Sequence, residues 1–97
     1  MSVSPQTRAR LRTRYLDGIQ ARMDEMLAVR ARLDAGDTTA PTDARTLGHQ
    51  FAGMGTSFGF PEHSERGREL EHAPHEGHAP ALERLLALVR DTLQRER

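Results

Sequence analysis

The sequence predicts an all-α fold, an up-and-down four-helix bundle with a long first helix. Three observations lead there. Apolar residues recur at helical spacing in the first and last thirds of the chain. Proline, glycine and small polar residues separate the periodic stretches. Apolar residues make up 36% of the chain, with three Phe, one Tyr and no Trp, which suits the narrow Leu/Met/Ala stripes of a small bundle. Ninety-seven residues make one domain, with a core over about 11–94, a helical extension at 1–10 and a frayed tail at 95–97.

Ser4-Pro5 reads as an N-cap followed by proline at the first helical position. Leu11, Tyr15, Ile19, Met23, Met26, Leu27 and Leu33 then keep helical spacing, and Gly36 suits the residue just past the end. D-T-T-A-P-T, residues 37–42, is a loop. The second helix starts near Pro41 to Asp43 and runs to about Phe58, where Gly59 breaks it. Pro61 opens the third, which ends near His72 and turns His63, Gly67 and Leu70 inward. That is a poor apolar face, so this helix depends on the bundle to hold it. A-P-H-E-G-H, residues 73–78, forms the next loop. The fourth helix covers about Ala79 to Gln94, with Leu82, Leu85, Leu86, Val89 and Leu93 inward.

Fourteen basic and fourteen acidic residues cancel, which removes a global electrostatic case for nucleic-acid binding. Every basic residue is arginine. Arg8, Arg10, Arg12 and Arg14 alternate, which on a helix spreads them around about half the circumference as a solvated face. Without cysteine there is no disulfide or thiolate chemistry. The chain has no apolar run of membrane-spanning length and no signal-peptide h-region, so no membrane association and a cytoplasmic location are expected.

The stretch with chemical content is H-Q-F-A-G-M-G-T-S-F-G, His49 to Gly59. On a helical wheel Leu47, Phe51, Met54 and Phe58 share the inward side. His49 falls opposite, surrounded by Arg45, Ala52, Gly53 and Thr56. A glycine costs a helix roughly 0.8–1 kcal/mol relative to alanine, so this many imply close approach. Gly48, Gly55 and Gly59 lie on one flank, where a neighbouring helix packs. Gly53 clears space beside the imidazole.

This segment resembles the signature of histidine phosphotransfer (HPt) domains. That signature has a histidine, a variable residue, a hydrophobic residue, usually lysine, and glycine, with a second glycine six positions later. His49, Phe51, Gly53 and Gly59 match, and Gly55 supplies a small residue common two positions after the first glycine. R-E-L-E, Arg68 to Glu71, matches the end of the family's next helix, and the likeness runs from about Arg14 to Leu93. The family's usual lysine is Ala52 here.

The resemblance implies a phosphorelay carrier in which His49 accepts a phosphoryl group from a receiver-domain aspartate and donates it to another. The implied partners are response-regulator receiver domains and a hybrid or sensor histidine kinase. Mg²⁺ is expected on the receiver, with no cofactor bound by this chain. The family places a polar residue, glutamine in some members, 22 positions after the histidine; here that residue is Glu71. It would accept from Nδ1–H and leave Nε2 as the nucleophile. With the lysine absent, Arg45 and Arg68 are the nearest candidates for positive charge, and Thr56 for a hydrogen bond to a partner. No glycine-rich phosphate loop ending in lysine is present, so the chain is not a kinase by itself. The alternative is an interaction module of HPt shape that binds a receiver without efficient transfer.

His72, His75 and His78 keep a spacing seen in metal ligands, with His63 upstream. They span a helix end and a loop containing Pro74 and Gly77, and no cysteine accompanies them, so no metal site is expected. His63 is expected at a core edge where the family usually has leucine.

Overall fold

The computed structural model describes residues 3–97; Met1 and Ser2, the start of the expected extension, lie outside the described residues. Four α-helices follow one another: α1 (Pro5–Asp34), α2 (Ala40–Met54), α3 (Pro61–Glu71) and α4 (His78–Glu96). Single 3₁₀ turns sit at Thr56–Phe58 and His75–Gly77, and no strand occurs among the described residues. Each helix packs against the next, and α4 closes against α1. Arg12 near the start of α1 meets Glu96 at the end of α4, while Arg30 near the end of α1 meets Glu83 near the start of α4. The two helices are therefore antiparallel, as an up-and-down bundle requires.

The start of α1 is built as its sequence implies. Ser4 Oγ accepts from the Thr7 amide at 3.2 Å, and Pro5 occupies the first turn. At the other end Gly36 takes φ +76°, the left-handed conformation that glycine adopts without Cβ strain. The helix has 30 residues, about 45 Å at 1.5 Å per residue, and spans the molecule's longest dimension of 46 Å. Its buried stripe is Tyr15, Leu16, Ile19, Met26 and Val29, with Met23 and Leu33 partly buried. Leu11 and Leu27 are exposed, contrary to the spacing argument. Leu11 precedes the level at which α4 ends, and Leu27 lies off the arc centred on Ile19 and Met26.

The second helix is shorter than the sequence suggests. It ends at Met54, not near Phe58, because Gly55 lets the chain turn tightly onto α3. A Cβ on Gly55 would lie 2.6 Å from both the Phe60 oxygen and the Ser64 nitrogen. Ser64 Oγ accepts from the Thr56 amide at 2.8 Å and Phe60 N–H donates to the Gly55 carbonyl at 2.8 Å, closing the turn. Gly59, at φ +88°, then reverses the chain. Of the expected inward four, Leu47 and Phe51 are fully buried, while Met54 and Phe58 sit at the rim.

Helix α3 turns His63, Ser64, Gly67 and Leu70 inward. Helix α4 begins at His78, one residue earlier than its spacing implied, and buries Ala81, Leu82, Leu85, Leu86, Val89 and Thr92, with Leu93 partly buried. Its end is not frayed as expected. The helix continues to Glu96, and Arg97 bonds to Asp17 and, at 2.9 Å, to Gln20. The tail is held because α1 is long enough to run beside it.

Candidate functional site

His49 stands on the outer face of α2, and its side chain is 77% exposed. The inward residues on either side, Leu47 and Phe51, are buried, and that anchoring fixes which way the imidazole points. His49 Nδ1 lies 2.6 Å from Glu71 Oε2 on α3. A carboxylate only accepts, so Nδ1 carries the hydrogen in this pair, and in the neutral ring Nε2 then keeps its lone pair. Glu71 is only 25% exposed, so its carboxylate approaches the ring from the helix–helix seam.

Two glycines create that seam. A Cβ on Gly48 would meet the Glu71 nitrogen at 2.6 Å and the Gly67 oxygen at 2.7 Å. A Cβ on Gly67 would meet the Ala52 nitrogen at 2.5 Å and the Gly48 oxygen at 2.7 Å. No real Cβ tolerates such contacts, so α2 and α3 touch backbone to backbone only because both residues lack one. The flank position of Gly48 implies a packing glycine; for Gly67, its counterpart, helical spacing implies only an inward position. Gly53 behaves differently. It is exposed, and an added Cβ there would meet nothing within 4 Å, the imidazole included, so the room beside His49 does not depend on Gly53 lacking a Cβ.

Of the other expected site residues, Thr56 lies in the 3₁₀ turn beyond the end of α2, not on the helix that carries His49. Arg45, Thr56 and Arg68 are exposed, and Ala52 is half-buried against α3. Two contacts were not foreseen. Arg22 of α1 bonds Gln50, the neighbour of His49, and the His72 ring nitrogen Nε2 lies 3.9 Å from the second Glu71 oxygen, Oε1. Both join residues far apart in sequence or at a helix end, where periodicity is silent.

The other histidines do not converge. Among the described residues no group of three His, Cys, Asp or Glu side chains is placed to hold a metal ion. His72 is exposed at the C-cap of α3. His78 turns into the bundle and donates from Nδ1 to the His75 carbonyl at 3.1 Å. His63 is fully buried as expected, but in the core and not at its edge.

Comparisons with family models, curated proteins and solved structures return no match to the chain. No helix among the described residues is long and apolar enough to cross a membrane.

Proposed function

We propose that this protein is a histidine phosphotransfer carrier, with His49 taking a phosphoryl group from a receiver-domain aspartyl phosphate and passing it to a second receiver. The observation that supports this reading is the pairing of an oriented Nδ1 with an open Nε2. Neutral imidazole is a good nucleophile near pH 7. Its Nε2 lone pair attacks phosphorus, the N–P bond forms, and the P–O bond to the aspartyl carboxylate breaks with that carboxylate leaving. Positive charge developing on the ring is met by Glu71 through Nδ1–H, the role carboxylates play toward imidazoles elsewhere. Transfer onward is the reverse displacement. The receiver brings Mg²⁺ and most of the charge stabilisation, so the carrier needs only access, tautomer and tolerance of a dianion.

A second reading is favoured by one residue. Ala52 stands where the family's lysine would approach the phosphoryl oxygens, and an HPt-shaped module that binds a receiver without efficient transfer would carry such a change. Incubation with a phosphorylated receiver separates the two. A carrier acquires an acid-labile, base-stable label on His49, and His49→Gln abolishes the label while changing stability by no more than roughly 0.5 kcal/mol, as for an exposed position. A native chain that binds the receiver and stays unlabelled is the module.

A further inference from the structure

We infer that the buried chain Tyr15–His63–Thr92 is an acid-sensitive latch that ties α1 to α3 and α4 and loosens when His63 takes up a second proton. The inference is independent of any phosphate chemistry at His49.

Proton positions in the chain follow from its bonds. His63 is 0% exposed, and so is Thr92. Thr92 has one hydroxyl hydrogen, and it is donated to the Leu88 carbonyl at 2.9 Å. Toward His63 Nε2, 2.8 Å away, Thr92 Oγ1 therefore accepts, so Nε2 carries a hydrogen. Nδ1 then offers a lone pair and accepts from the Tyr15 hydroxyl at 2.6 Å. Every polar atom is satisfied, but only with a neutral, Nε2-protonated ring. Three helices meet in these bonds.

A second proton has no place there. On Nδ1 it would face the Tyr15 hydroxyl, which would have to stop donating and turn its own hydrogen into an aromatic nest. Phe58 and Phe60 each stack on Tyr15 at 5.1 Å, and Phe60 lies 5.1 Å from the His63 ring. The surrounding charges do not rescue the cation. From α3, Glu62 favours it; from α4, Arg95 opposes it. From α1, Arg22 acts on Tyr15, and Arg12 lies over Phe60 with Glu96 of α4 as its partner. Helix α2 presents Phe51, at 6.1 Å, and no charge. Burial accordingly pushes the imidazole below its usual value and the phenol above its own.

The sign follows. With the folded value depressed, the latch is fully held above the ordinary histidine value of about 6.5, and the closed-to-open ratio falls up to tenfold for each pH unit below it until the folded value is reached. Ordinary carboxylates titrate near 4, and Asp37 and Glu69 are held lower still by arginine partners. Comparison with a variant that cannot titrate at position 63 removes what other groups contribute over the same pH interval.

The chain has one tyrosine and no tryptophan, so intrinsic emission reports Tyr15 alone. The test is urea unfolding of the native chain and of His63→Gln at pH 7.0 and 5.5, followed by that emission. Glutamine can accept from Tyr15 and donate to Thr92 but cannot titrate. The native unfolding constant is expected to rise at pH 5.5, by at most about tenfold, with a smaller change or none in the variant. An equal rise in both, or none in the native chain, overturns the inference. Should the variant fail to fold, imidazole nitrogen NMR of the native chain decides. A doubly protonated His63 beside a still-buried Tyr15 overturns the latch, while a ring that stays Nε2-protonated and neutral until Tyr15 is released supports it.

Discussion

A methyl group on Gly48 would lie 2.6 Å from the backbone nitrogen of Glu71. That closeness is what brings a carboxylate on α3 within 2.6 Å of an imidazole on α2. The two glycines at the crossing, Gly48 and Gly67, thus serve the site as well as the fold.

Gly48→Ala should therefore do two things at once. Overpacking of this kind costs about 1–3 kcal/mol, and relief requires α3 to move away, which lengthens the His49–Glu71 bond. Gly18→Ala is the control. Gly18 lies exposed inside α1 with nothing within 4 Å of an added Cβ, so alanine should stabilise by about 0.5–1 kcal/mol through helix propensity alone. Urea denaturation measures both changes, and His49 nitrogen NMR reads the tautomer. Equal effects at the two positions would show that the crossing is not tight.

The role of Glu71 is separable from its bulk. Glu71→Ala removes the acceptor for Nδ1–H and should slow phosphotransfer by on the order of tenfold to a hundredfold, as loss of an orienting partner does at metal-bound histidines. Glu71→Gln keeps a carbonyl acceptor in place and should retain most of the rate. Single-turnover labelling from a phosphorylated receiver gives the numbers. If alanine transfers as fast as glutamate, the bond orients nothing that matters.

Much of this was legible in the sequence, because it depends on local pattern. The Ser4-Pro5 start, the leucine stripe of α4, the outward His49 and the Glu71 partner follow from helical spacing and a motif. What was illegible depends on where helices stop and what lies across from them. Gly55 ends α2 before Phe58 because Phe60 and Ser64 press against it. The tail after Gln94 stays helical because Asp17 and Gln20 of α1 happen to lie beside Arg97. Helical spacing turns His63 inward, but its partners Tyr15 and Thr92 are 48 and 29 positions away, beyond any periodicity.

Phe51 joins site and core. It is fully buried two residues after His49 and shares the core with Leu47, Leu70 and Leu85. Phe51→Ala should cost about 3–5 kcal/mol, a large share of the roughly 5–15 kcal/mol typical of a small domain. Calorimetry should show a lowered, broadened transition. A loss below 1 kcal/mol would mean that the α2–α3 seam collapses onto the space left behind.

Ala52 decides between the two functional readings. It lies one turn after His49 on the α3 side, half-buried where Gly67 comes close to its backbone. A lysine there runs from that seam toward the ring, so its ammonium can reach phosphoryl oxygens on Nε2. Partly exposed pairs of this kind contribute about 1 kcal/mol or less, and somewhat more against a dianion in a closed complex. That is too little for its absence to abolish transfer and enough to change phosphohistidine lifetime several-fold. The native protein should already be labelled, and Ala52→Lys should raise its phosphorylated occupancy modestly in a side-by-side time course with one receiver donor. Glu71 sits across the same seam and would compete for the ammonium, which limits the gain and makes Ala52→Lys/Glu71→Gln the more strongly labelled variant. A native chain that stays unlabelled while Ala52→Lys is labelled would sink the carrier reading and establish the receiver-binding module in its place.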